Sequence, residues 1–297
     1  MFIIKYRKIF VSISALLVTL SVVSMIFFGI NFGIDFRGGS LLEVEYTGTR
    51  PEKVAVENSL KELSLGDMLI QPIGDNGYSI KTRDITDGEK QTILSSLGDE
   101  ATETSFTSVG PSVGAELVRK STISFILVAL GIILWIAFSF RKVSKPVSSW
   151  KYGILAIVSL VHDVIIASGF FALVSHFMGK DADTLFVVAV LTVLGLSVSD
   201  TIVVFDRIRE NIRHMQSKSF EEIVGTSLNQ VYTRSIITSL TTIIVLLSLV
   251  FFGPSSTKLF AMTLVAGMFF GTYSSIFLAS PLLVMVNNLQ GKSKKKK

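Results

Sequence analysis

Three ionisable side chains lie inside long apolar stretches of the sequence: Asp163, Asp200 and Arg234. A charge near the centre of a bilayer costs roughly 2.5–3.5 kcal/mol on insertion scales, so each one needs a partner or a task. A carboxylate and a guanidinium on neighbouring helices stabilise each other where the dielectric is low. The carboxylate can change its protonation state, whereas the guanidinium keeps its charge. These residues fit a proton relay in which Asp200 is the moving part and Arg234 is the fixed counter-charge.

Further polar residues accompany Asp200 and Arg234. Gln230 and Thr238 lie four residues to either side of Arg234, which places all three on one face of a helix. Ser199 directly precedes Asp200 and adds a small hydroxyl-bearing neighbour through which water or another helix can approach. The same residues also fit a static buried pair that fixes the register of two helices, and the spacing does not separate the two hypotheses.

His162 and Asp163 are adjacent, so they point about 100° apart on a helix. Two interpretations are open. One is that either residue extends the relay; the other is a hydrogen-bonded polar pair with a structural role.

The composition places the chain in the membrane class. Of its 297 residues 49% are hydrophobic and 17% are charged, against roughly 25% charged residues in soluble domains. A helix needs about 20 apolar residues to cross the hydrocarbon core of a bilayer. The sequence predicts six such spans, at Ile9–Ile30, Ser121–Phe140, Tyr152–Ser175, Thr184–Phe205, Gly225–Phe252 and Leu259–Val286.

The distribution of Lys and Arg predicts the orientation of these spans. Basic residues concentrate in cytoplasmic segments of membrane proteins. Here they flank the ends that share a side with the amino terminus, and only Lys180 and Lys258 lie in the short loops on the other side. Both termini, including the basic tail 290–297, are therefore predicted to be cytoplasmic. The residues that carry this prediction are Lys5, Arg7, Lys8, Arg141, Lys142, Lys145, Lys151, Arg207, Arg209, Arg213, Lys218, Lys292 and 294–297.

These anchoring charges also account for the formal net charge of +5. The basic balance is therefore no indication of nucleic-acid binding, and it favours contact with the anionic surface of the lipid bilayer.

Residues 31–120 contain nine basic and fifteen acidic residues and form a predicted extracytoplasmic domain. Alternation, helical periodicity and turn residues give the order β-α-β-β-α-β, an α+β ferredoxin-like pattern. The predicted elements are Ser40–Thr47, Pro51–Ser64, Leu69–Ile73, Tyr78–Arg83, a helix from the capping residue Thr86 through Leu97, and Ala101–Val109. The remainder, 121–289, is the rest of an α-helical multi-pass membrane protein that begins with 1–30.

Several classes of chemistry lack their residues. The chain has no cysteine and only three histidines, which excludes thiolate chemistry and a convincing zinc site. Gly33–Gly39 lacks the Gly-Lys-Ser/Thr of a phosphate-binding loop and follows a membrane span instead of a strand. An intramembrane aspartyl protease would need Asp163 and Asp200 as a close acid pair, and the Gly-x-Gly-Asp surroundings expected of that class are absent. We therefore expect the protein to bind no cofactor and no metal and to have no enzymatic activity.

Six segments carry a resemblance to a known family: Phe32–Gly39, Val109–Leu117, His162–Val164, Asp200–Asn211, Arg234–Ser235 and Thr238–Ser239. Together with six spans and one small outer domain, they make the chain similar to the SecF members of the SecD/SecF family, which belong to the resistance-nodulation-division superfamily. The resemblance covers nearly the whole chain.

The resemblance implies an accessory subunit of the Sec protein translocase in the bacterial plasma membrane. Such a subunit acts with SecD and the SecYEG translocon on a translocating preprotein, and it couples the proton motive force to late steps of export. Carried over residue by residue, the family's coupling residues are Asp200 and Arg234. Leu196 and Ser199 stand where the family often has Tyr and Asn, and some relatives use sodium. The alternative is one half of a small-molecule or lipid exporter of the same superfamily.

Overall fold

The computed structural model describes residues 2–139 and 149–294. Phe140 of the second predicted span, the basic residues Arg141, Lys142 and Lys145, and residues 295–297 of the tail lie outside the described residues. The described part divides into two compact units. The membrane unit comprises Met1–Ile30, Ser124–Met178 and Leu185–Lys297, and the outer unit comprises Asn31–Ile123 and Gly179–Thr184.

The described residues form helices and four strands in an order that begins and ends with helices. In chain order they are α1 Phe2–Lys5, α2 Arg7–Phe28, α3 Ile34–Arg37, β1 Gly39–Tyr46, α4 Lys53–Leu60, β2 Leu69–Ile73, β3 Gly77–Thr82, α5 Asp87–Leu97, β4 Ala101–Val109, α6 Pro111–Ser139, α7 Ser149–Met178, α8 Thr184–His214, α9 Phe220–Phe252, α10 Ser255–Ser274 and α11 Ser280–Lys294. A 3₁₀ turn, Lys61–Leu63, follows α4, and a π-helical turn, Ser275–Ala279, joins α10 to α11.

The outer unit contains one four-stranded sheet with the strand order β2-β3-β1-β4. All neighbouring strands are antiparallel, and Leu42 of β1 lies opposite Ile80 of β3 and Phe106 of β4. This is the arrangement of a ferredoxin-like fold, as the sequence predicts. Two of the predicted strands, Leu69–Ile73 and Ala101–Val109, begin and end at the predicted residues.

The core of the outer unit lies between the sheet and its two helices. Leu42, Ile70 and Ile80 from the strands and Leu60 and Ile93 from the helices are almost fully buried. Each fully buried aliphatic side chain stabilises the fold by about 1.5–3 kcal/mol relative to an exposed one. This small core is consistent with a domain that folds around its own hydrophobic centre.

Six helices among the described residues are long and apolar enough to cross a membrane, which confirms the six predicted spans. The helices are longer than the apolar blocks. α6 begins at Pro111, ten residues before the predicted span, and α8 continues past Phe205 to His214. Proline is common at the first position of a helix, and polar residues can extend a helix beyond its apolar part. Neither raises the mean hydropathy, so a hydropathy window does not detect these helix ends.

Close helix packing in the membrane unit depends on small residues. A Cβ atom added at Gly267 of α10 would lie 2.2 Å from Val193 Cγ2 of α8, and one at Gly169 of α7 would lie 2.5 Å from Ser21 Cβ of α2. Ser24 Oγ of α2 also donates to the Gly169 carbonyl at 2.8 Å. Small residues let helix backbones approach closely, which matters in lipid because there is no hydrophobic driving force for helices to associate.

Candidate functional site

Polar side chains of α7, α8, α9 and α10 meet inside the membrane unit. Asp163 comes from α7, Asp200 from α8, Ser239 from α9, and Thr272 and Ser274 from the end of α10. α10 lies close to α8 at Gly271: a Cβ atom added there would lie only 3.2 Å from Ser197 Cβ. The glycine therefore allows α10 to present its hydroxyl groups to both carboxylates.

Asp163 is the most enclosed of the predicted charged residues, with 1% of its surface exposed. Ser274 Oγ donates to its Oδ2 at 2.7 Å, and Ser197 Oγ donates to the same oxygen. Its Oδ1 lies 2.8 Å from His162 Nδ1. Both carboxyl oxygens thus have partners, which is what a buried carboxylate requires.

His162 is buried beside Asp163 and has a second ring nitrogen, Nε2. The side chain is 4% exposed, and its Nε2 has no hydrogen-bond partner among the described residues. A buried ring nitrogen without a hydrogen-bond partner carries an uncompensated cost of desolvation. The hydrogen bond between neighbours 162 and 163 fits either of the two interpretations left open by the sequence.

Asp200 lies one helical turn along α8 from Ser197 and is half-buried. Thr272 Oγ1 of α10 donates to its Oδ2 at 3.3 Å, and Ser239 Oγ of α9 lies 2.5 Å from the same threonine oxygen. Hydroxyl groups donate and accept, so this pair can serve an ionised or a protonated carboxyl group by rotating its hydrogens.

Arg234 does not form the direct ion pair that the sequence suggests. Its guanidinium is near enough to act on the charge of Asp200. However, the ion pairs within 4.0 Å between described residues do not include these two. Arg234 lies instead on an exposed face of α9, together with Gln230 and Thr238. The carboxyl group of Asp200 is bound by the hydroxyl of Thr272, which lies 2.5 Å from that of Ser239.

Two other predicted supporting residues, Gln230 and Ser199, make no hydrogen bond to the carboxylates among the described residues. Gln230 Oε1 accepts hydrogen bonds from Arg207 Nε and Asn211 Nδ2, each at 2.7 Å, on the part of α8 beyond the predicted span. Ser199 is exposed. Gln230 therefore fastens α9 to the end of α8, and it does not line the carboxylate cluster.

Thr272 and Ser274, which donate hydrogen bonds to the two carboxyl groups, are not among the residues predicted from the sequence. Their signal is a run of hydroxyl-bearing residues, 272–275, inside an otherwise apolar span. The helix changes there from α to π geometry, which often marks a functional site. Among the described residues, no group of three or more His, Asp or Glu side chains is arranged to hold a metal ion.

Comparison with known families places this geometry in context. Residues 89–289 match the model of the protein export membrane protein SecD/SecF, C-terminal family, and residues 23–49 match the SecD/SecF GG motif. The chain belongs to the SecD/SecF family. Within this family it is 40% identical to the protein translocase subunit SecF of Thermobaculum terrenum, over 96% of this chain and 94% of that one. It is 36% identical to the SecF of Anaerolinea thermophila, over 94% and 92%.

A solved structure of the same family has a similar fold. SecDF from Thermus thermophilus, described as a translocon-associated membrane protein, matches with a TM-score of 0.81 at 30% identity. The match covers 96% of this chain and 38% of the SecDF chain, so the present chain corresponds to little more than a third of that protein. Six helices and the outer α+β domain are thus the family fold.

Proposed function

We propose that this chain is the SecF-type accessory subunit of a Sec protein translocase and that it acts with a SecD partner and SecYEG on a preprotein in transit. The chain resembles SecF proteins over nearly their whole length. The proton motive force drives its contribution to the late steps of export. It lies in the bacterial plasma membrane with both termini in the cytoplasm.

The placement of Asp200 carries this proposal. A half-buried carboxyl group within a membrane helix is held by Thr272 of α10, which contacts Ser239 of α9. Three helices therefore share one protonatable group. Arg234 supplies a permanent positive charge nearby on α9 and makes no ion pair within 4.0 Å with Asp200 among the described residues.

The proposed cycle alternates the partners of Asp200. Protonation removes the charge of its carboxyl group and weakens the attraction to Arg234, which lets α8, α9 and α10 repack. Deprotonation restores that attraction. A charge that crosses the membrane potential gains about 2.3 kcal/mol per 100 mV, and about 1.4 kcal/mol already shifts an equilibrium tenfold. One proton is therefore sufficient to bias two arrangements of the bundle.

A comparison of two Asp→Asn variants on the same helix tests this function. We expect Asp200→Asn to insert and to bind SecD, but to lose the part of preprotein export that depends on an imposed gradient. Asp206→Asn is the matched control, because Asp206 is exposed and pairs with Arg209 at 3.6 Å. The measurement is completed translocation into vesicles that contain SecYEG, SecD and this chain.

Gradient-dependent export by Asp200→Asn at the level of the control would contradict the proposal. Proton and sodium gradients imposed separately, at several values of pH, identify the coupling ion.

A further inference from the structure

The six residues that join α7 to α8 belong to the outer unit and not to the helices they connect. Gly179–Thr184 clusters with Asn31–Ile123. Ala182 is fully buried there and pairs with Phe32 in an isolated parallel β-bridge. The backbone N–H of Gly33 donates to the Ala182 carbonyl at 2.8 Å, and the N–H of Ala182 donates to the Asn31 carbonyl at 2.7 Å. We call this segment, Gly179–Thr184, the strap.

Asp35 attaches the end of the strap. Its Oδ2 accepts hydrogen bonds from the backbone N–H and from the hydroxyl of Thr184, both at 2.8 Å. Thr184 is the first residue of α8, where backbone N–H groups have no partner inside the helix. A carboxylate at this position also complements the positive end of the helix dipole. Helices usually take this cap from the residue just before them, whereas Asp35 lies 149 positions away.

A third attachment joins the strap to the sheet. Lys81 Nζ of β3 lies 2.6 Å from Asp181 Oδ2 of the strap, and only 17% and 22% of the two side chains are exposed. The same ammonium group donates to Gln71 Oε1 of β2 at 3.2 Å. The ion pair is therefore held in one geometry by a neighbouring strand and is better ordered than a free surface pair.

Glycines make the close approach of these segments feasible. A Cβ at Gly33 would lie 3.2 Å from the Ala182 carbonyl oxygen. Gly39 has a φ of +126°, and a Cβ there would lie 2.6 Å from the Thr82 carbonyl oxygen. The segment before β1 is therefore fixed against both the strap and the end of β3.

These contacts assign a mechanical role to the strap. α8 is one continuous helix from Thr184 to His214 and carries Asp200 sixteen residues from its start, about 24 Å at 1.5 Å per residue. We propose that the strap is a permanent attachment by which the outer domain holds the first turn of α8, and that Asp35 is its positioning residue. Asp35 does not contact Asp200 and acts through Thr184. The first residue of α8 is thereby fixed to the outer domain.

Hydrogen exchange of the full-length protein in lipid nanodiscs tests the attachment without any assumption about export. We expect Asp35→Ala to raise the exchange rate of the amides of the strap and of the first turn of α8 about fivefold, as the loss of a helix cap does. Asp35→Asn should raise it less, since the amide oxygen still accepts both hydrogen bonds. Asp75→Asn is the control, because Asp75 lies exposed in the turn between β2 and β3.

Protection of β1 and β3 should stay unchanged in all three variants, which separates loss of the strap from unfolding of the domain. Unchanged exchange at Ala182 and Thr184 in Asp35→Ala would overturn the attachment.

Charge exchange tests the Lys81–Asp181 pair in the same assay. Lys81→Asp and Asp181→Lys should each loosen the strap, and the double variant should restore protection. The matched control exchanges Lys90 and Glu103, a pair at 3.2 Å in the same domain that does not contact the strap. Failure of the double Lys81–Asp181 variant to restore protection would remove this pair from the proposal.

A disulfide tests whether the strap stays closed during function, and this part rests on the proposed role in export. The chain has no cysteine of its own, so Phe32→Cys with Ala182→Cys introduces one unique pair at β-bridge partners. We expect gradient-dependent export to be the same before and after oxidation, and to fall in Asp35→Ala. Loss of export on oxidation would show that the strap must open, and normal export by Asp35→Ala would remove its positioning role.

Normal gradient-dependent export by Asp200→Asn would instead contradict the proposed function. In that case the hydrogen-exchange result would still decide whether the strap is attached.

Discussion

The carboxyl group of Asp163 shows how this protein accommodates a charge that is almost fully buried. Three side chains from three helices, His162, Ser197 and Ser274, bind its two oxygens. A hydrogen bond to a charged group contributes about 1.5–3 kcal/mol, and removal of one partner leaves desolvation uncompensated. The cluster therefore ties α7, α8 and α10 together, whether or not Asp163 also exchanges a proton.

Removal of one hydroxyl group measures that contribution. We expect Ser274→Ala to lower the free energy of unfolding by about 1.5–3 kcal/mol, because the carboxylate loses one of its donors. Ser248→Ala is the matched control: Ser248 lies exposed on α9 and donates only to the carbonyl of its own helix at Val245, 2.7 Å away. Unfolding in mixed detergent micelles provides the measurement, and equal stability of the two variants would contradict the role of Ser274.

The residues of the site divide into those that the sequence reveals and those that only packing brings together. Asp163, Asp200 and Arg234 stand out because each is a charge in an apolar segment. Ser239 and Thr272 are weaker signals, since serine and threonine are common in membrane helices, and their pairing appears only where two helices place them side by side. The direct Asp200–Arg234 ion pair is absent within 4.0 Å among the described residues, since Arg234 lies on an exposed face of α9.

Elements of the outer domain were predictable because their signals are local. Thr86 and Glu89 form a capping box at the start of α5, as the order of their residue types suggests. The turn residues 74–77 separate β2 from β3 where expected. The strap was not predictable, because its partners Asn31, Gly33 and Asp35 are about 150 residues away and its six residues have no periodic pattern.

The capping box also predicts a pH dependence for α5. Hydrogen bonds from Arg83 and then from Thr86 lower the pKa of Glu89 to about 2. Since the folded pKa lies below the ordinary value of 4.5, ionised Glu89 stabilises the fold fully above pH 4.5, and this contribution disappears as the pH falls towards 2. Glu89→Gln should therefore weaken the protection of α5 amides at neutral pH and approach the parent protein near pH 2.

Hydrogen exchange of the intact protein, corrected for intrinsic rates at each pH, is the measurement for Glu89→Gln. Glu62→Gln in the 3₁₀ turn after α4 serves as the control, because Glu62 is exposed. A difference between Glu89→Gln and the parent that persisted at pH 2 would indicate a loss of packing and not a loss of charge.

At the scale of the whole molecule, the distribution of basic residues predicts the orientation of the chain in the membrane. Outside residues 31–120, nearly all Lys and Arg residues lie in segments predicted to be on the same side of the membrane as the amino terminus. Residues 31–120 themselves contain more acidic than basic residues. Basic residues are retained on the cytoplasmic side during insertion. In the proposed cycle, a proton that reaches Asp200 from the outer side moves inward.

Labelling of single cysteines tests this orientation, and the absence of native cysteine makes each label unambiguous. Asp75→Cys lies at the exposed tip of the β2–β3 turn, and Ser217→Cys lies in the exposed connection between α8 and α9. We expect a membrane-impermeant maleimide to label Asp75→Cys in intact spheroplasts and Ser217→Cys only after the membrane is opened. Because both sites are exposed, a difference in access reports the side of the membrane and not burial. The reverse pattern would contradict the predicted orientation with both termini in the cytoplasm.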